Sequence, residues 1–399
     1  MGVKQAYCRF YQSIVNIGMN VIPWREPERV EGVDSFLSIP EILTNEEKWA
    51  PMIVTGPRMG KSNFVKTLLS ELSERTIIYD QVRPDPTMAQ VEEMVGIYRE
   101  NHCDSIIAIG GGSNMDAAKA LAARIARPDK TLRQMRGVMK VGRSTPLLIA
   151  VPTTAGTGSE TTIAAVITDE KTNHKYAIND TALLPDYAVM DPNLTVSLPP
   201  EITAATGMDA LTHAVESYIS VNYDTEETKE YCEEAVCAIM EFLPEAYNQA
   251  DFMEAREEML IASYKAGAAF TRTGVGNVHA IAHTIGGLYH VPHGVANAVV
   301  LPIVLDDYGS VVYEPLARLA ELSNVATEGT DEEKAKAFIG HIRHMNETMG
   351  IPEHLPQIKR EDVAKMSGWA DKEANPLYPV PVIYDKKRFE RIILEVAGK

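Results

Sequence analysis

The chain has 399 residues, enough for a large buried core and two domains, and its 45% hydrophobic and 23% charged residues are ordinary for a globular protein. A formal net charge of −17 sets up a diffuse negative field that repels phosphate backbones, so a nucleic-acid partner is not expected. No apolar run approaches the roughly 18 residues of a membrane span, and no apolar stretch follows Lys4 and Arg9 as a secretory signal would require, so neither membrane nor export is expected.

In chain order, the first half alternates apolar runs with amphipathic stretches. Pro51 to Thr55 (PMIVT) reads as a buried strand. It runs into Gly56-Pro57-Arg58-Met59-Gly60-Lys61-Ser62, which has a P-loop look but only three residues between its glycines, where the phosphate-cradling loop needs four. It remains a basic loop able to touch a phosphate. Asn63 to Glu74 follows as an amphipathic helix, Thr76 to Tyr79 as a strand, Thr87 to Asn101 as a helix and Ser105 to Ile109 as a third strand. Gly110-Gly111-Gly112-Ser113 then opens a helix carrying Asp116. Three glycines let a phosphate approach the backbone, and a helix N-terminus offers it free N–H groups. A tight strand-to-helix turn alone would call for the same glycines.

Pro146 to Val151 is the fourth strand, and Pro152-Thr153-Thr154-Ala155-Gly156-Thr157-Gly158-Ser159-Glu160 follows it. This loop concentrates hydroxyls that can bond a ribose, a pyrophosphate or an amide, although such loops also serve as plain connections. Two such loops at strand carboxyl ends match where ligands bind open parallel sheets. The expected fold is therefore an α/β dinucleotide-binding domain, Rossmann-like, over residues 1–198. The Leu198-Pro199-Pro200 stretch marks a break, and residues 199–399 read as helical, with helix-type spacing over Ala204 to Ser220, Thr225 to Phe242, Ala255 to Thr271 and Val278 to Leu288.

Four of the ten histidines fall between His279 and His293. Asp209 and His213 are four apart in GMDALTHAVE, and His279 and His283 repeat that spacing in NVHAIAHTIGG, which puts each pair on one helix face. His290 and His293 follow in a segment read as a loop. Any one of these could be a hydrogen-bonded core histidine. Together they suggest a site of nitrogen and oxygen ligands without thiolates, suited to Fe²⁺, Zn²⁺ or another divalent transition metal. Such a metal polarises an alcohol or carbonyl oxygen while a nicotinamide exchanges a hydride. Cys8, Cys103, Cys232 and Cys237 form no CxxC pair and suit a reduced, cytoplasmic compartment.

These motifs in this order resemble the iron-containing (group III) alcohol dehydrogenases, whose superfamily includes glycerol dehydrogenases and dehydroquinate synthase. The resemblance is carried by GGGSNMDAAK, PTTAGTGSE, GMDALTHAVE, VHAIAHTIGG and PHGVANA. It implies a dinucleotide-binding domain, an all-α metal-binding domain and an active site in the cleft between them. By residue, it implies Asp209, His213, His279 and His293 as ligands, with iron first and zinc as the alternative. His283 falls on a histidine beside the metal, suited to proton relay or cofactor contact. Gly111, Gly112, Ser113, Asp116, Thr153, Thr154 and Lys175 fall at cofactor positions. Many NAD-using members carry Asp where this chain has Gly56; its loss removes a repulsion against a 2′-phosphate, with Arg58 and Lys61 close by, so NADP(H) is favoured over NAD(H).

The expected substrate is a small alcohol or aldehyde, with Phe270 and residues near Asn375 to Pro381 lining the pocket. A polyol dehydrogenase or hydroxy-acid oxidoreductase competes on substrate. A dehydroquinate-synthase-like lyase would need many cations around its acidic substrate, and Ala262 to Val300 supplies only Lys265 and Arg272. A homodimer or higher homo-oligomer is expected.

Overall fold

The computed structural model describes residues 2–21, 24–170 and 174–399. The chain divides into two compact units, Trp24–Ser197 and Met1–Pro23 together with Leu198–Lys399. The first helix, α1 (Val3–Val21), therefore belongs with the carboxy-terminal helices. The sequence reading had put residues 1–198 together. Polar contacts tie α1 to its own unit: Arg9 and Gln12 donate to the backbone carbonyls of Pro376, Tyr378, Val380 and Pro381.

The Trp24–Ser197 unit is built on a six-stranded sheet, parallel throughout, in the order β1-β9-β6-β4-β2-β3. The strands are β1 (Glu28–Glu31), β2 (Pro51–Thr55), β3 (Ile77–Tyr79), β4 (Ser105–Gly110), β6 (Leu147–Pro152) and β9 (Tyr187–Met190). A second sheet, β5 (Gly137–Val138), β8 (His174–Asn179) and β7 (Ala164–Asp169), includes an antiparallel β7–β8 pair that the sequence reading did not foresee. Every residue of β2, β4 and β6 is buried, as expected for strands covered on both faces. The helices are α2 (Ile39–Asn45), α3 (Asn63–Glu71), α4 (Met88–Glu100), α5 (Gly112–Ala126) and α6 (Leu132–Met135). Ser62 and Thr87 cap α3 and α4 by accepting from the N–H groups of Val65 and Gln90. Since β2, β4 and β6 are neighbours, the loops leaving their carboxyl ends lie side by side.

After α1, the other unit is all helical: α7 (Pro200–Tyr218), α8 (Glu226–Asn248), α9 (Met253–Thr273), α10 (Asn277–Tyr289), α11 (His293–Tyr308), α12 (Tyr313–Leu322), α13 (Asp331–Thr348), α14 (Arg360–Ala374) and α15 (Lys386–Val396). The proline pair expected to be a break initiates α7, with Pro199 at the cap and Pro200 first in the helix. A proline costs nothing there, because the first helical N–H has no partner within the helix. Among the described residues one stretch, His293–Val311, is long and apolar enough to cross a membrane by length and composition; it is mostly buried within the protein, the position of a core helix.

Candidate metal centre and dinucleotide loops

The glycines of the β4 loop are dictated by what surrounds them. Gly110 has φ +150°, and a Cβ there would meet the Asn114 side chain at 2.5 Å. A Cβ on Gly111 would lie 3.1 Å from Thr154 Oγ1, and one on Gly112 would lie 3.0 Å from Thr157. The β4 and β6 loops thus touch, and Thr153 N–H closes the join on Gly110 C=O at 3.1 Å. Gly111 caps α5, and Gly112 and Ser113 are its first residues, so their N–H groups face the loops. The buried Asn114 Nδ2 has no partner among the described residues, a donor suited to a polar ligand on these loops.

Lys119 holds the second loop. It is fully buried, and its ammonium donates to Ser159 C=O (2.6 Å), Thr162 C=O (2.7 Å), Thr162 Oγ1 (2.9 Å) and Ala164 C=O (3.1 Å). Burial pushes its pKa down, and Asp116 and Glu160 oppose that shift. Burial likewise pushes the Glu160 carboxyl up to about 7. Burial pushes the carboxyl of Asp116, the residue expected at the cofactor, up to about 7, opposed by Lys119 and by the Val166 backbone. Lys175, on β8, pairs with Asp85 at 2.6 Å, and both are exposed. At the end of β2, Gly56 has room: a Cβ would make only ordinary contacts with Val82 C=O (3.4 Å) and Asn114 Nδ2 (3.6 Å). Arg58 donates to Ser197 C=O at 2.9 Å, and Lys61 is exposed.

In the helical unit, Asp209 and His213 lie on α7, His279 on α10 and His293 at the start of α11. The sequence reading put His293 in a loop; it is the first residue of a helix, while His290 ends α10 in the left-handed conformation (φ 53°). One ligand atom from each of Asp209, His213, His279 and His293 lies within 4.8 Å of the others. Helix packing brings them there. Gly294 is needed because a Cβ would sit 2.0 Å from Ala205 C=O, so α11 meets α7 backbone to backbone. The His213 ring stacks between Phe270 (4.2 Å) and His279 (4.7 Å).

Glu216, which sequence reasoning passed over, sets the His279 tautomer. It is 5% exposed and accepts from Gly276 N–H (2.8 Å), Val278 N–H (2.7 Å) and His279 Nδ1–H (2.6 Å). With Nδ1 donating, Nε2 presents a lone pair. Burial, then the neighbouring imidazoles, keeps His279 neutral. Asn297 reports where the lone pairs point. Its Nδ2 lies 2.6 Å from Asp209 Oδ1, 3.1 Å from His279 Nε2 and 3.2 Å from His293 Nε2. Three acceptors aimed at one donor, beside a fourth ligand of the same kind, are a donor set that fits a divalent iron or zinc ion. The signal for Glu216 was present in the sequence: it falls seven residues after Asp209, two turns along the same helix face. His283 stacks on His293 at 5.2 Å, and its Nδ1 bonds Glu373 Oε1 at 2.5 Å.

Comparison with known proteins agrees with this geometry. The pattern described as "Iron-containing alcohol dehydrogenase" matches residues 27–192, and "Fe-containing alcohol dehydrogenase family, C-terminal" matches residues 203–394. The chain belongs to the iron-containing alcohol dehydrogenase family. Relatives within it include the NAD-dependent methanol dehydrogenase of Bacillus methanolicus, 37% identical over 76% of this chain and 80% of that one. The NADPH-dependent butanol dehydrogenase of Clostridium saccharobutylicum is 36% identical over 80% and 83%. The crystal structure of a 1,3-propanediol oxidoreductase superposes with a TM-score of 0.90 at 33% identity, covering 94% of this chain and 100% of that one. The protein is accordingly an NAD(P)-dependent alcohol dehydrogenase, an oxidoreductase acting on CH–OH groups with a divalent metal. In this iron-containing alcohol dehydrogenase, the expected α/β-then-helical architecture is also the observed one.

Proposed function

We propose that this enzyme transfers a hydride between NADP(H) and a small alcohol or aldehyde, the dinucleotide resting on the β2, β4 and β6 loops and the metal in the helical unit. The observation that carries this reading is the convergence of Asp209, His213, His279 and His293 within 4.8 Å. Iron is the first expectation and zinc the alternative, since the same ligands serve both. A metal held there supplies Lewis acidity at the substrate oxygen, lowering the cost of alkoxide character.

The chain's own residues do the rest. Glu216 keeps the His279 Nε2 lone pair turned towards the ligand set. Asp209 contributes a single carboxylate, so a dication bound there keeps a net positive charge for the substrate oxygen. His283, whose ring is fixed at Nδ1 by Glu373, passes a proton to or from that oxygen. Gly111, Gly112, Ser113, Thr153 and Thr154 bind the dinucleotide, with Asp116 and Lys175 shaping the charge beside it. Gly56 leaves room for a 2′-phosphate, and Arg58 and Lys61 supply cations. Four free cysteines, three of them buried, support a reduced cytoplasmic setting. We also assign a homodimer or higher homo-oligomer, which light scattering would measure.

The test is kcat/KM for a panel of alcohols and aldehydes with NADP(H) and with NAD(H), on protein purified without oxygen. The reading expects short substrates to turn over, faster with NADP(H). A protein that uses NAD(H) better overturns the cofactor assignment, and one inert towards every alcohol and aldehyde overturns the reaction.

A further inference from the structure

The residues matched by the family begin at position 27, so α1 lies ahead of them. One face of α1 is nevertheless engaged over its whole first half. Lys4 pairs with Asp371, and Cys8 Sγ lies 3.7 Å from Asn375 Oδ1. The Arg9 guanidinium donates to Val380 C=O (2.8 Å) and Pro381 C=O (3.0 Å). The Gln12 amide donates to Tyr378 C=O (2.7 Å) and Pro376 C=O (3.1 Å), and Gln12 is completely buried. All four residues reach one segment, Asp371 to Pro381, at the end of α14 and beyond it. That segment carries prolines at 376, 379 and 381. Prolines have no N–H, so the segment cannot close a regular ladder, and its carbonyls must find donors elsewhere. α1 provides them.

The same segment ends in the chemistry. Tyr378 O–H donates to Glu373 Oε1 at 2.9 Å, and that oxygen is the one bonded to His283 Nδ1. We propose that α1 is a strap: by holding residues 371–381, Arg9 and Gln12 act as positioning residues for the Tyr378–Glu373 pair that orients the His283 ring. This rests on the reading that His283 handles the substrate proton. A buried amide with two backbone partners is a costly way to attach a helix that merely adds mass, and those partners are the carbonyls of Pro376 and of Tyr378, the tyrosine that completes the relay.

The experiment is a double-mutant cycle on the metal-loaded enzyme. Arg9→Ala/Gln12→Ala and, as a milder change that keeps the fold, Tyr378→Phe are each made alone and with His283→Ala. Metal content, dinucleotide Kd, kcat and KM are measured. The strap predicts kcat lowered about tenfold in the Arg9/Gln12 variant and less in Tyr378→Phe, with KM, metal content and dinucleotide Kd near wild type. It also predicts that neither change lowers kcat further once His283 is Ala, because there is no ring left to orient. If His283→Ala alone leaves kcat unchanged, the reading of His283 fails and the strap has nothing to hold. If His283→Ala lowers kcat but the strap variants keep wild-type kcat, or their loss persists in full in the His283→Ala background, the strap itself is overturned.

Discussion

Glu216 carries three hydrogen bonds in a pocket that admits no water-sized error, because a Cβ on Gly276 would already lie 2.5 Å from its Oε1. Glu216→Gln keeps the shape but turns an N–H₂ towards backbone donors, and the His279 tautomer is no longer imposed. Metal affinity, measured by chelator competition, should weaken about 10–100-fold with little change in dinucleotide Kd. Unchanged affinity would make Glu216 a packing residue. Gly56 poses a different test, since an added side chain meets only ordinary contacts. Gly56→Asp should therefore act through charge. We expect lower kcat/KM with NADP(H) and higher with NAD(H). Weakening one charge-assisted contact to the 2′-phosphate by about 1.5–3 kcal/mol corresponds to roughly ten- to hundredfold. A fall with both cofactors would point to a disturbed turn instead.

Helices make this centre by packing, and the glycines report how tightly. Gly294 touches α7 backbone, whereas Gly340, exposed within α13, would put its Cβ in open space. Substitution by Ala should thus have opposite signs: Gly294→Ala destabilises by about 1–3 kcal/mol through overpacking. Gly340→Ala stabilises by about 0.5–1 kcal/mol through helix propensity. Denaturant midpoints measure both, and a neutral Gly294→Ala would refute the close approach of α11 to α7. The i, i+4 pairs of α7 and α10 were legible in sequence because spacing alone fixes a helix face. Other elements were not. The β7–β8 hairpin lacks a strong alternating pattern, and His293 reads as loop because a proline precedes it, although a proline at the cap suits a helix start. Lys119 was visible within GGGSNMDAAK, but nothing local says that a lysine will be buried under carbonyls forty residues away. Glu373 lies ninety residues from His283, a pairing only the fold creates.

At the scale of the molecule, composition and motif order conveyed a sheet-bearing half and a helical half, because strands with buried faces and long amphipathic helices write different periods. They did not convey that the chain starts in the helical unit, since α1 is tied there by bonds from Arg9 and Gln12 to backbone carbonyls, which leave no sequence pattern. The central claim is that the helical unit holds one divalent metal through Asp209, His213, His279 and His293 while the dinucleotide binds elsewhere. Elemental analysis and dinucleotide titration of His279→Ala, purified without oxygen beside the wild type, test it most directly. The account predicts about one metal per chain in the wild type, and in the variant loss of metal and turnover with dinucleotide binding retained. Full metal occupancy in His279→Ala would contradict it.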